Sequence, residues 1–215
     1  MMAPILKWGL VAGGAAGVGY LLLKAFKGGR APLVGPTLVM GDSIAVGVGD
    51  ALAENPNIQV QTKAIIGECA ECTKDRVAER MEDVSFFDGA TNEFLPVKNI
   101  VLSTGTNSIG RDTVYGIVED ISDIVHGLRD EGYRVIILGP PPAMNYAGFN
   151  EEQMSEFLDL TVAIEQGFRD VISLWDLLGD GEGLFDEQYD QPDQLHPSRA
   201  GYRRIAQAIL EGERR

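Results

Sequence analysis

From Thr37 onward, short apolar runs alternate with longer segments of helical periodicity, and the alternation continues to the C terminus. Residues 37–40 are apolar or β-branched and end at Gly41, the pattern of a buried strand entering a tight turn. A helix with glycine-weakened propensity follows over 44–52. A second strand is predicted over 58–66, ending at Gly67, and helical spacing over 74–84. Residues 86–97 read as an irregular, partly acidic loop, and 98–104 as a third strand ending at Gly105. The segment 113–131 is a helix with Ile117, Ile121, Ile124, Val125 and Leu128 on one face. A fourth strand, 134–138, stops at Gly139-Pro140. A helix over 151–166, a short fifth strand over 171–174 and a last helix over 197–211 complete the series. Strands alternating with helices imply a parallel sheet covered on both faces. The expected fold is therefore α/β, a flavodoxin-like three-layer α/β/α arrangement with about five parallel strands.

The N-terminal segment departs from this pattern. Sixteen residues, 8–23, carry no charge and lie between Lys7 and Lys24. A bilayer span takes about 20 residues. Ile5, Leu6, Ala25, Phe26 and snorkelling lysines extend the run toward that length. Gly9, Gly13 and Gly17 form overlapping G-x-x-x-G steps, which allow helix backbones to approach closely in a membrane. No small-x-small cleavage site follows, so a retained segment is expected rather than a removed signal peptide. Residues 1–27 are thus expected to be an apolar helix that anchors the chain in a membrane or joins copies into a homo-oligomer. The competing reading is a glycine-rich leader without helix. Residues 28–35 form a linker, and 36–215 a single domain. The expected location is a membrane, through one N-terminal span of undetermined side, or else a virion or other large assembly contacted through residues 5–27.

Charge narrows the partners. The 215 residues carry a formal net charge of −14. Residues 1–30 hold four bases and no acid, which leaves 14 bases against 32 acids, a net of −18, for the remainder. Such a domain repels nucleic acid and disfavours anionic substrates. Cys69 and Cys72, spaced C-x-x-C, are half a zinc site, and only His126 and His196 could add imidazole. A local disulfide or two free thiols fits this pair, and neither a metal nor another cofactor is expected.

Chemistry concentrates at the strand ends. Ser43 follows the first strand directly, at the carboxyl edge where open α/β sheets bind ligands. Near the far end of the chain, Asp193-Gln194-Leu195-His196-Pro197 precedes the last helix. Proline suits a first helical turn, which places His196 at or beside the cap. Asp193, three residues back, can orient the imidazole and stabilise its protonated form. Acyl transfer also needs donors for a developing oxyanion. Gly67 after the second strand offers a backbone N–H, and Asn107 after the third offers a side-chain amide. Each of these residues also has an ordinary role in turns and caps. Their convergence on one sheet edge is what points to a site.

With these residues in place, the sequence resembles the SGNH hydrolases, also called the GDSL esterase/lipase superfamily. Gly41-Asp42-Ser43 resembles the first block of that superfamily, with Ile44 where Leu is frequent, and Gly67 the second. Gly105-Thr106-Asn107-Ser108 is similar to the third, usually Gly-x-Asn-Asp. Asp193-Gln194-Leu195-His196-Pro197 with Gly201-Tyr202 is similar to the fifth and is the most specific match. The resemblance covers roughly residues 36–212. It implies Ser43 as nucleophile, His196 as general base, Asp193 as its partner, and an oxyanion hole from the Ser43 and Gly67 N–H groups and Asn107. Two departures stand out. Ser108 replaces the usual Asp, which is expected to loosen the Asn107 loop. Glu68-Cys69-Ala70-Glu71-Cys72 replaces small polar residues, bringing a carboxylate and two thiols toward the oxyanion hole, where negative charge opposes an oxyanion. The function implied is a metal-free serine esterase acting on small acyl esters, acetyl above all, on carbohydrate or another alcohol. The alternative is a structural or interaction protein of a membrane or virion assembly that keeps a hydrolase-like fold.

Overall fold

The computed structural model of the chain describes residues 31–82 and 84–213. Five parallel strands form the sheet: β1 (Thr37–Gly41), β2 (Val60–Ala64), β5 (Asn99–Ser103), β6 (Arg134–Leu138) and β7 (Val171–Ile172). Their spatial order is β2-β1-β5-β6-β7, and Val39 is in register with Thr62 on one side and Val101 on the other. Counting only these five strands, this is the flavodoxin-like order 2-1-3-4-5. β1 and β5 are buried along their whole length, as central parallel strands should be.

Side chains alternate across the sheet and so divide the core in two. Val39, Val101, Ile136 and Leu138 face α1 (Ser43–Ala53), α6 (Leu174–Leu178) and α7 (Arg199–Glu211). Leu38, Met40, Ile100, Leu102 and Ile137 face α4 (Val114–Asp130) and α5 (Glu151–Gly167). Ile117, Ile121, Ile124, Val125 and Leu128 of α4 all lie in this second layer, as their spacing predicts. The glycines that weaken α1 as a helix serve its packing. A Cβ at Gly47 would stand 2.3 Å from the Tyr202 ring, and one at Gly49 would stand 2.1 Å from Thr62 Oγ1.

Several boundaries differ from the sequence expectation. The single helix expected over 74–84 is two, α2 (Ala70–Asp75) and α3 (Val77–Glu82), separated at Arg76. Arg76 leaves helical geometry (φ −105°, ψ 1°) and sends its guanidinium back to Glu68. The expected loop 86–97 contains an antiparallel pair, β3 (Phe86–Asp88) and β4 (Glu93–Leu95), with Phe87 and Phe94 stacked edge to face. β2 ends at Ala64, so Ile65 and Ile66 leave the sheet for solvent, 45% and 76% exposed. Leu174 begins α6 instead of ending a strand, because Ser173 caps that helix by accepting the Asp176 N–H.

Among the described residues no helix is long and apolar enough to cross a membrane. The N-terminal helix expected over 1–27, with the anchoring, oligomer and assembly contacts assigned to it, lies outside the described residues.

Candidate active site

β1 delivers Ser43 to the carboxyl edge of the sheet through a turn that only glycine fits. Gly41 has φ +125°, and a Cβ there would stand 1.7 Å from the Ser103 carbonyl oxygen. Asp42 then caps α1, its Oδ1 accepting the Ile44 N–H (3.0 Å) and the Ser103 hydroxyl (3.2 Å). Burial pushes the Asp42 carboxyl up to about 6, against the pull of these bonds. Its Oδ2 has no hydrogen-bond partner among the described residues.

Ser43 Oγ lies 2.7 Å from His196 Nε2, although the two residues are 153 apart in sequence. His196 Nδ1 lies 2.7 Å from Asp193 Oδ2. The other oxygen of Asp193 accepts the N–H groups of Leu195 (3.1 Å) and His196 (3.0 Å). One carboxylate thus shapes the turn and holds the ring. Gln194, in the left-handed region at φ +57°, lets the turn close. Burial works to raise the Asp193 carboxyl, but the N–H of His196, its ring and the N–H of Leu195 outweigh it and hold the group below the ordinary carboxylate range. An ionised Asp193 keeps a proton on Nδ1, which leaves Nε2 free to accept the Ser43 proton. Beside this chain, the Tyr202 phenol is kept protonated by burial and by the negative charges of Asp42 and Asp193.

The start of the last helix differs from expectation. Ser198, not a position beside His196, is its N-cap, accepting the Gly201 N–H. His196 stands two residues upstream of the cap, with its ring on the Asp193 carboxylate.

Gly67 and Asn107 sit on two loops that are joined to each other. Asn107, in a short 3-10 turn (Thr106–Ser108), donates from Nδ2 to the Glu68 carbonyl at 3.3 Å. Gly67 has φ +78° with open space where a side chain would begin. Ser108 does not leave this region loose. Its hydroxyl accepts the Ala70 N–H at 2.9 Å and ties the Asn107 turn to the start of α2. Cys69 and Cys72 form a disulfide, and no described cysteine is free, so no thiol is exposed beside the site.

Glu68 is the feature that sequence reasoning mistook. Its carboxylate is buried and matched by Arg80 Nη2 at 2.6 and 2.7 Å and Arg76 Nη1 at 3.2 Å. The negative charge expected to oppose an oxyanion is therefore neutralised within the protein. Arg76 and Arg80, four residues apart, were the available signal.

The site is open. The His196 and Asp193 side chains are 29% and 48% exposed. Clefts of about 440 and 520 Å³ lie near the Asn107 loop, one between Arg111 and Gln153, the other between Cys69 and Asp120, and neither is lined by Ser43 or His196. Among the described residues no cluster suited to a metal ion occurs.

Comparison with known proteins agrees with the fold. The model of the GDSL-like lipase/acylhydrolase family matches residues 39–204, from within β1 to within α7. Solved structures share the fold at low identity. A member of the lipolytic protein G-D-S-L family from Veillonella parvula is 18% identical, with a TM-score of 0.61 over 83% of this chain and 97% of its own. A GDSL-like lipase from Bacteroides thetaiotaomicron is also 18% identical, with a TM-score of 0.61 over 88% and 95%. An acetyl xylan esterase is 15% identical, with a TM-score of 0.55 over 82% and 98%. No curated protein matches the sequence. With the family model spanning most of the chain and the sheet order to go with it, the protein belongs to the GDSL-like lipase/acylhydrolase family, within the SGNH hydrolase superfamily.

Proposed function

We propose that the chain is a serine esterase that removes small acyl groups, acetyl above all, from alcohols such as those of carbohydrate. The observation that carries this reading is the unbroken relay Ser43 Oγ–His196 Nε2 and His196 Nδ1–Asp193 Oδ2, each 2.7 Å. His196 takes the Ser43 proton as Oγ attacks the ester carbonyl. The N–H groups of Ser43 and Gly67 and the Asn107 amide receive the charge that develops on oxygen. The C–O bond to the alcohol then breaks, and His196 gives the alcohol its proton. Water, deprotonated by the same imidazole, releases the acid and restores Ser43.

Substrate size is inferred from the openness of the site. The His196 and Asp193 side chains are partly exposed, and Ile65 and Ile66 beside Gly67 offer a short apolar patch, a setting that suits a small acyl group better than a long chain. The acidic surface fits a neutral ester better than an anionic one. The acetyl xylan esterase among the structural neighbours is compatible with that choice.

Hydrolysis of p-nitrophenyl acetate, butyrate and octanoate, followed by an acetylated xylan oligosaccharide, tests this reading. The wild-type chain is expected to favour acetate, and Ser43→Ala and His196→Ala to lose about a thousandfold or more in kcat. A wild-type rate no greater than that of Ser43→Ala on every ester would overturn it.

A further inference from the structure

We propose that Glu68 is the positioning residue of the oxyanion hole, holding the Gly67 and Asn107 donors in one geometry through a buried anchor on Arg80; this rests on the esterase reading above. Glu68 touches no reacting atom. It acts from both its main chain and its side chain.

On the main chain, Glu68 closes a turn by donating its N–H to the Ile65 carbonyl at 3.2 Å. The Gly67 N–H lies inside that turn, so the turn sets its direction. The Glu68 carbonyl accepts one N–H of the Asn107 amide at 3.3 Å. An amide nitrogen carries two protons in a fixed plane. Holding one on Glu68 fixes where the other points. A single residue therefore constrains two donors that come from the ends of different strands.

On the side chain, Glu68 is 2% exposed. Besides the two guanidinium groups, Oε2 takes the Thr73 hydroxyl at 3.1 Å. Thr73 Oγ1 is 3.1 Å from Thr104 Oγ1. A hydroxyl has one proton; Thr73 shares it between Glu68 Oε2 and the Cys69 carbonyl, 3.0 Å away, and so accepts from Thr104. The anchor thus runs from α3 through α2 to Thr104, one residue before Gly105 and three before Asn107. It returns to the loop that its own carbonyl engages, and the circuit closes. Ser108, accepting from Ala70, adds a second tie between the same loops. The disulfide adjoins the circuit, since Cys69 follows Glu68 directly and its carbonyl also accepts the Thr73 hydroxyl at 3.0 Å.

A displacement of about 1 Å in a catalytic group can cost a hundredfold in rate, and such a cost appears in kcat more than in KM when ground-state binding is unchanged. Arg80→Met, which keeps apolar bulk and removes the anchor, is the test variant, made in the full chain. On p-nitrophenyl acetate it is expected to lower kcat by about tenfold or more with KM within about twofold. Arg80→Lys, which restores a cation, is expected to recover part of the loss. In an Asn107→Ala background the same substitution is expected to cost much less, because one of the two donors it misplaces is already gone. A folded Arg80→Met with wild-type kcat, a change confined to KM, or an undiminished loss in the Asn107→Ala background would overturn the proposal. If Arg80→Met does not fold, Arg76→Met, whose side chain is 49% exposed, gives the milder test, with a loss of about threefold expected and wild-type kcat overturning the proposal.

An arm independent of activity separates this inference from the esterase reading. In the wild type, one side-chain amide proton of Asn107 is expected to show the downfield shift and slow exchange of a hydrogen-bonded group by NMR, and in Arg80→Met to lose both. An inactive wild type with these signals would refute the esterase and leave the anchor standing. An active wild type whose Asn107 amide is indifferent to Arg80 would refute the anchor alone.

Discussion

The two halves of the site are built in opposite ways. Asp193 and His196 lie three residues apart, and one turn does everything: Asp193 Oδ1 accepts two backbone N–H groups while Oδ2 holds the ring. That half is local and half-exposed. The Gly67–Asn107 half is assembled from loops 40 residues apart in number, held by a buried carboxylate whose partners are 8 and 12 residues further along. A local device can be altered without disturbing the fold, whereas an anchor made from buried charge also carries stability.

The largest effect should separate the halves most sharply. Asp193→Asn keeps an oxygen for the Leu195 and His196 N–H groups, so the turn survives. Its amide nitrogen, placed at Nδ1, donates where the carboxylate accepted. The ring then carries its proton on Nε2 and cannot take that of Ser43. kcat is expected to fall about a thousandfold or more with thermal stability nearly unchanged. Glu68→Gln should do the reverse in kind, leaving Arg80 without a full counter-charge and costing about 3 kcal/mol, on the order of 10 °C in Tm, besides any loss of rate. Calorimetry of both variants beside their kcat values checks the contrast. An Asp193→Asn protein as destabilised as Glu68→Gln would erase it.

Asp42 stands between the halves, capping α1 and bonding Ser103 of β5, and it adds a pH dependence that neither half shows alone. Burial raises its carboxyl from 3.8 to about 6. The folded chain therefore holds this proton at pH values where the unfolded chain has released it. The associated stability is fully present below about pH 4 and is lost as pH rises through 6, a swing on the order of 3 kcal/mol. Asp42→Asn carries no such proton and is still a good cap. Its stability relative to wild type is expected to improve from pH 4 to pH 7, measured by urea unfolding at each pH. A difference that does not change with pH would show that Asp42 is ionised without cost.

How much of this was legible in the sequence follows the same division. Val39, Met40 and Gly41 announce a buried strand and its turn because a central parallel strand is apolar throughout, and the α4 stripe is read from its spacing alone. Asp193-Gln194-Leu195-His196 is legible because its bonds are local. Glu68 was expected to bring uncompensated negative charge, and the structure pairs it with Arg80 and Arg76 instead. Its charge was visible, and Arg76 and Arg80 at four-residue spacing were a local sign of partners, but the break of the helix at Arg76 and the inward turn of Arg80 are set by tertiary packing. The start of α6 was missed for a smaller reason, since Ser173 reads equally well as the end of a strand or as a cap. Residues 86–97 read as a loop because three-residue strands are too short for alternation to show.

The smallest expected effect asks what holds the non-local half. The Cys69–Cys72 disulfide begins one residue after Glu68, caps the start of α2 and closes a short loop. In the chain-entropy account, cross-linking so short a loop contributes about 2 kcal/mol. Reduction should therefore lower Tm measurably. The rate should change little, within about threefold, because Glu68 remains bonded to Arg80, Arg76 and Thr73, and Asn107 remains on the Glu68 carbonyl. The check is kcat on p-nitrophenyl acetate before and after treatment with a phosphine reductant, with free thiol counted to confirm two cysteines released per chain. A fall of a hundredfold on reduction would overturn the proposed control of the Gly67–Asn107 loops by the buried ion pair and assign it to the covalent staple. Wild-type kcat in the reduced protein, together with a slow Arg80→Met variant, would leave the ion pair as what orients the Asn107 amide.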